Sequence, residues 1–167
     1  MKGGVIISIL LSSILMPGCI SEQVKPSGRR GISWYKVEKA ISGDTIAVKG
    51  IGKVKYIGVA APRGSISGKG GERFWKKSLQ KNRELVEGKW VRFDLDLRRQ
   101  DKLGRYLAYV FVQNEYNLME ELFINGEMLR LGLARLEEST VNTKYIKRLE
   151  ALENRARGQG LGIWSGR

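Results

Sequence analysis

The side chains able to do chemistry gather in three short stretches: Ser42-Gly43-Asp44-Thr45, Ile57-Gly58-Val59-Ala60-Ala61-Pro62-Arg63, and Asp101-Lys102-Leu103-Gly104-Arg105. Lys55 stands between the first two. Asp44 is a carboxylate in a Gly-Asp-Thr turn, where it can ligate a hard cation or organise the turn through its side chain. Lys55, Arg63, Lys102 and Arg105 are cations, suited to phosphate or to other anionic groups. The chain has no histidine, which excludes His-based acid–base chemistry and His metal ligands. Its one cysteine, Cys19, excludes an intrachain disulfide. Thirty basic residues against 17 acidic ones leave a net charge of +13. Such a balance favours polyanions, whether nucleic acid, anionic lipid or cell-wall polymer.

The elements that must position these groups follow from periodicity and turn residues. Trp34–Ile41 alternates as a strand with Tyr35, Val37 and Ile41 on one face. Gly43-Asp44 turns the chain into Thr45–Val48, and Gly50 and Gly52 bracket the hairpin into a strand over Lys53–Val59. Gly64 to Gly71 reads as a loop. Glu72–Glu87 has helical spacing and stops at Gly88. Trp90–Leu95 and Arg105–Val112 are strands joined by a basic turn. Asn125–Leu131 forms a short helix and Ala134–Leu136 a short extended piece. Asn142 or Thr143 is expected to cap a last helix with Tyr145, Ile146, Leu149, Leu152 and Ala156 inward.

In order and spacing the three stretches resemble the active-site segments of the staphylococcal-nuclease (thermonuclease) family, whose patterns read roughly D-G-D-T, R-x-x-x-x-D-T/A-P-E and D-x-Y/x-G-R. Leu107-Ala108-Tyr109-Val110, Asn125 through Arg130, Gly132-Leu133-Ala134-Arg135 and Gly162-Ile163-Trp164-Ser165 extend the resemblance across nearly all of the chain after residue 33. The resemblance implies an α+β, mainly β fold, a five-stranded OB-type Greek-key barrel with about three helices. It also implies metal-dependent phosphodiester hydrolysis of DNA or RNA, with Ca2+ held by two carboxylates and a carbonyl, a glutamate base and two arginines.

Carried over residue by residue, that chemistry is incomplete. Asp44 matches the first carboxylate ligand and Ala61 can offer its carbonyl, but Ala60 replaces the second carboxylate. Arg63 stands at the general-base position, and a guanidinium stays protonated and cannot take a proton from water. Losing a positioned base costs about 10²–10⁴ in rate. Lys55 and Arg105 stand at the two phosphate-binding arginine positions. Ser42 replaces the first aspartate, and Leu103, Glu138 and Thr140 stand where the family has tyrosines. The expectation is therefore a family member with catalysis lost and no cofactor, Ca2+ entering only if the family site were functional. Lys55, Arg63, Lys102 and Arg105 would line a basic cleft for nucleic acid or another polyanion.

Other readings stay open. Glu72, Asp94, Asp96 or Asp101 would serve as substitute carboxylates in a rebuilt, active metal-dependent endonuclease. A structural or partner-binding protein with an incidental basic cleft is a third class. Arg105 would then pair with Asp44 or Asp101, and Lys55 would be a solvated charge on a strand face.

The N-terminus has its own pattern. Lys2 precedes a run of apolar residues and serines from Val5 to Met16, which fits a signal peptide over residues 1–18 and is too short to span a bilayer. Leu15-Met16-Pro17-Gly18-Cys19 resembles a lipoprotein cleavage site, so Cys19 is the expected lipidation point, with plain secretion as the alternative. Residues 19–33 read as a flexible tether and 34–167 as the folded domain. The expected location is extracytoplasmic and membrane-anchored, as a monomer.

Overall fold

The computed structural model describes residues 32–64, 68–113, 120–137 and 140–165, with the backbone alone over 68–72. The expected signal segment 1–18, Cys19 and all but the end of the tether lie outside the described residues, as does Glu138.

Five strands close on themselves: β1 (Tyr35–Ser42), β2 (Thr45–Val48), β3 (Gly52–Tyr56), β5 (Trp90–Asp94) and β6 (Tyr106–Gln113). β1 pairs antiparallel with β2 and β5, β2 with β3, and β5 with β6. A parallel seam between β3 and β6 shuts the barrel, pairing Val54 with Tyr106, Lys55 with Leu107 and Tyr56 with Ala108. This is the mixed, closed barrel with three helices that the resemblance implied. β7 (Glu121–Phe123) extends β6, and the short β4 (Val59–Ala60) pairs with β8 (Arg135–Leu136) outside the barrel.

Alternation fills the interior with Val37, Ile46, Val48, Val54, Tyr56, Val91, Ala108 and Val110, all buried. On β1 the alternation breaks. The register with β2 slips between Val37 and Lys39 and again between Ala40 and Ser42. Each slip adds a residue and reverses the phase, so Ala40 is buried where Ile41 was expected. The strand expected over Lys53–Val59 is likewise two pieces, because Gly58 adopts a left-handed φ of 71° and turns the chain into β4.

The helices are α1 (Gly68–Val86), α2 (Ile124–Arg130) and α3 (Ile146–Gly158). α1 begins four residues before the expected Glu72, taking in glycines read as loop. It closes one end of the barrel. The Tyr56 hydroxyl donates to Asn82 Oδ1 at 2.7 Å, and Asn82 Nδ2 donates to the Ser42 carbonyl at 2.7 Å. Burial, first, pushes the Tyr56 phenol well above its ordinary value. α3 lacks the expected cap: Tyr145 holds the N-cap position without a side-chain capping bond, and Asn142 is used elsewhere. Its inward face includes Leu149 and Ala156, and also Glu153, whose Oε1 accepts the Leu136 N–H at 2.8 Å and fixes β8.

Two knots hold these layers together. Asn125, fully buried, accepts the Val110 N–H and donates to the carbonyls of Ile57 and Ala108, tying α2 across the β3–β6 seam. Gly132 and Gly162 lie back to back. A Cβ on Gly162 would stand 2.0 Å from the Gly132 carbonyl oxygen, and both residues have positive φ. Among the described residues no helix is long and apolar enough to cross a membrane.

Candidate functional site

Lys55 alternates out of the barrel where its neighbours Val54 and Tyr56 point in, so it faces a cleft on the outer side of the β3–β6 seam. The cleft has a volume of about 280 Å³ and is lined by residues of β3, the β5–β6 hairpin and the segment after β8. Its floor is an ion cluster around the buried Lys55, its rim a local turn.

At the floor, the Asp44 carboxylate accepts three hydrogen bonds. Oδ1 accepts the hydroxyls of Ser42 at 2.6 Å and Thr45 at 3.0 Å. Oδ2 accepts the Ala61 N–H at 3.2 Å and faces the Lys55 ammonium at 3.7 Å. A carboxylate offers about four lone-pair sites, and three of Asp44's accept hydrogen bonds, with the Lys55 ammonium near the fourth. Gly43 allows the turn to sit there: a Cβ on it would stand 1.7 Å from Ser78 Oγ on α1. Of the two readings of Asp44, as cation ligand or as turn organiser, its bonds to Ser42 and Thr45 are those of a turn organiser.

Lys55 is not a solvated strand-face charge. It is 7% exposed, its ammonium donating to the Val59 carbonyl at 2.7 Å and to Glu137 Oε2 at 3.3 Å. Burial is tolerated because three acceptors surround the charge. Glu137 was not among the residues singled out from sequence. Its only signal was position, one residue beyond the short β8 that pairs with Val59–Ala60.

At the rim, Asp101 organises the hairpin tip. Its Oδ1 accepts the backbone N–H groups of Leu103 at 2.9 Å and Arg105 at 3.0 Å, and its Oδ2 meets the Arg105 guanidinium at 2.6 Å. Burial alone would raise the Asp101 carboxyl, but the Arg105 N–H and guanidinium outweigh it and hold the group below its ordinary 3.8. Of the two partners expected for Arg105, it takes Asp101. Gly104 supplies the left-handed corner, and Lys102 and Leu103 stand exposed at the tip.

The opposite wall is sewn on by Asn142. Its amide accepts the Arg98 N–H and donates to the Arg98 carbonyl, each at 2.8 Å. Thr140 lines the cleft beside it and accepts the Asn142 N–H. Arg63 is exposed and does not line the cleft. The structure therefore brings Lys55, Lys102 and Arg105 to one cleft, with Asp44 beneath, and leaves Arg63 outside it.

The candidate substitute carboxylates are engaged elsewhere. Asp94 accepts from Lys144 Nζ and the Tyr145 hydroxyl, Asp96 from the N–H groups of Lys144 and Leu97, and Asp101 holds Arg105. The Glu72 side chain lies outside the described residues. Calcium takes six to eight oxygens and draws its affinity from their charge. The floor offers two carboxylates, Asp44 and Glu137, with the Lys55 ammonium standing between them at 3.7 and 3.3 Å, and a neighbouring Ala60 without side-chain oxygen. That donor set does not fit a divalent cation. Among the described residues no three acidic or cysteine side chains gather as a metal cluster.

Comparison with known proteins agrees with the geometry of the barrel. The family profile described as staphylococcal nuclease homologue matches residues 53–166. A thermonuclease of Staphylococcus hyicus is 32% identical over 134 residues, spanning 78% of this chain and 75% of that protein. A thermonuclease of Staphylococcus intermedius is 34% identical over 140 residues, with 78% and 75% spanned. The endonuclease YncB of Bacillus subtilis is 33% identical over 134 residues, covering 77% of this chain and 60% of the relative.

Proposed function

This chain belongs to the staphylococcal nuclease family, and we propose that its cleft binds an anionic polymer, nucleic acid first, without hydrolysing it by the family's metal-dependent route. The observation that supports this reading is the Asp44 carboxylate, engaged by three hydrogen bonds, with the Lys55 ammonium 3.7 Å from it. An internal cation stands beside the carboxylate where a ligand metal would need it, and Arg63 at the general-base position cannot accept a proton. Electropositive groups remain at the rim, in Arg98, Lys102 and Arg105, the last paired with Asp101.

The test is a cleavage assay on the purified protein with calcium, magnesium and manganese in turn, run beside Asp44→Ala. The expected result is no cleavage that the substitution removes, together with DNA binding that weakens steeply as salt rises. Cleavage abolished by Asp44→Ala would overturn the reading, and no association with any polyanion at low salt would leave the cleft without a ligand.

The N-terminal pattern supports a location. In this reading residues 1–18 are a signal segment, Cys19 carries lipid, residues 19–33 tether the domain, and 34–167 stand outside the cytoplasm as a monomer. Mass spectrometry of the mature N-terminus checks it. A diacylated or triacylated Cys19 is expected, and an intact Met1 would end the proposal.

A further inference from the structure

The segment joining β5 to β6 offers solvent more apolar surface than a connecting turn requires. Asp94 pairs with Tyr109, and pairing resumes only where Gln100 meets Tyr106. Residues 95–99 thus stand against only 107 and 108, and the excess bulges outward. Leu97 on this bulge is 81% exposed, and Leu103 at the turn beyond it 78%. Leu95 and Tyr106 are exposed beside them, so that among the described residues four of the six exposed large apolar side chains fall between positions 95 and 106. Single exposed leucines are ordinary, whereas a group of them marks a contact surface. Exposed Arg98, Arg99 and Lys102 lie in the same stretch. Its two acids are engaged on the protein side. Asp96 accepts the N–H groups of Leu97 and Lys144 and the Tyr109 hydroxyl, and Asp101 holds the turn and Arg105.

The chain enters the barrel at this same end. Across the β3–β6 seam from the first cleft, at the barrel mouth opposite α1, lies an aromatic cleft of about 500 Å³. Tyr35 and Phe93, stacked at 5.0 Å, line it with Leu95 and Tyr106, and so do Ile32 and Ser33, where the described chain begins. Whatever holds the chain ahead of Ile32 holds the hairpin near it. We propose that the β5–β6 hairpin docks the folded domain onto an anionic lipid bilayer. Leu97 and Leu103 enter the boundary between headgroups and acyl chains, Tyr106 lies at headgroup level, and Arg98, Arg99 and Lys102 meet the lipid phosphates. Buried apolar area and attraction to anionic headgroups together supply the affinity of such a contact. A soluble polyanion would use the cations and leave Leu97 in water. A second copy of this chain would set the same cations against each other. The contact does not rest on the polymer reading of the first cleft: the two share Arg98 and Lys102, but Leu97 lies outside that cleft.

The test places an environment-sensitive fluorophore on the full chain. Cys19→Ser with Leu97→Cys leaves one cysteine, on the hairpin, and Cys19→Ser with Gln80→Cys puts it instead on the exposed side of α1. Vesicles of phosphatidylglycerol and phosphatidylcholine in equal parts should shift the emission at position 97 to the blue and leave position 80 unchanged. Pure phosphatidylcholine vesicles should produce no shift at either position, since the headgroup charge is then missing. Adding Leu103→Ser to the position-97 chain should raise the lipid concentration for half the shift roughly tenfold. Circular dichroism of each labelled chain secures the fold. Because position 80 reports any attachment through the N-terminal residues alone, equal shifts at both positions overturn the proposal, as does no shift at position 97. A shift without vesicles that grows with protein concentration would make the leucines a self-association face and overturn it as well. A shift with a short oligonucleotide and none with vesicles would assign the hairpin to the polymer cleft instead.

Discussion

The floor and the rim of the first cleft carry the same chemistry, a carboxylate facing a cation, but are built in opposite ways. Asp101 and Arg105 are four residues apart on one hairpin, and the corner glycine brings them together. Asp44, Lys55 and Glu137 come from a turn, a strand and a distant segment, and meet only when the barrel is closed and β8 has paired with β4. The rim pair is partly open to water and the floor pair is nearly shut from it, with side chains 24% and 8% exposed at Arg105 and Lys55. A count of basic residues therefore overstates the charge offered to a ligand. Lys55 is spent on internal acceptors, whereas the rim keeps its charges at the surface.

Substitutions that remove one partner at a time separate the two. Lys55→Met should lower unfolding stability by about 3 kcal/mol, because it strands a carboxylate and a carbonyl in a buried site. Chemical denaturation measures this, and a loss no larger than at the rim would erase the distinction. Gly43→Ala tests whether the floor depends on close approach of α1. The new Cβ must displace Ser78 Oγ, 1.7 Å away, for an expected loss of about 2 kcal/mol by overpacking. Asp101→Asn should cost only about 1 kcal/mol, since the pair is partly solvated and the turn keeps its glycine.

The smallest effect is that of pH. Asp101 is held below its ordinary 3.8, so its contribution is complete above that value and is lost as pH falls through the lower folded one. Stability should decline on acidification below about pH 4, and Asp101→Asn should flatten that part of the profile. An unchanged profile would mean that the Arg105 clamp contributes nothing to folding.

Much of the rim was legible in the sequence because it is local. Asp-Lys-Leu-Gly-Arg before an apolar run names its own turn, its glycine corner and a short-range ion pair. The strand order and the later landmarks were legible for a related reason. Gly132 and Gly162 lie where any side chain would collide with backbone, and Asn125 satisfies three backbone groups that nothing apolar could satisfy. What escaped was whatever depended on register or on distant pairing. The β1 bulges exchange Ala40 for Ile41, and Asn142 looks like a helix cap yet joins two loops. Glu137 reads as one more surface acid. The aromatic mouth escaped too, since Tyr35, Phe93 and Tyr106 are far apart in the chain and become neighbours only across three strands.

By itself the sequence determined the strands, turns and hairpin rim, since turns, alternation and residue identity act over a few positions, and its family resemblance supplied the barrel and the missing acids at Ala60 and Arg63. Only the tertiary structure decided that Lys55 is turned inward as a counterion to Asp44, that Glu137 completes its shell, and that a second, aromatic cleft backs onto the first. Burial and charge pairing are properties of what surrounds a group, and those surroundings are assembled from segments as far apart as Asp44 and Glu137.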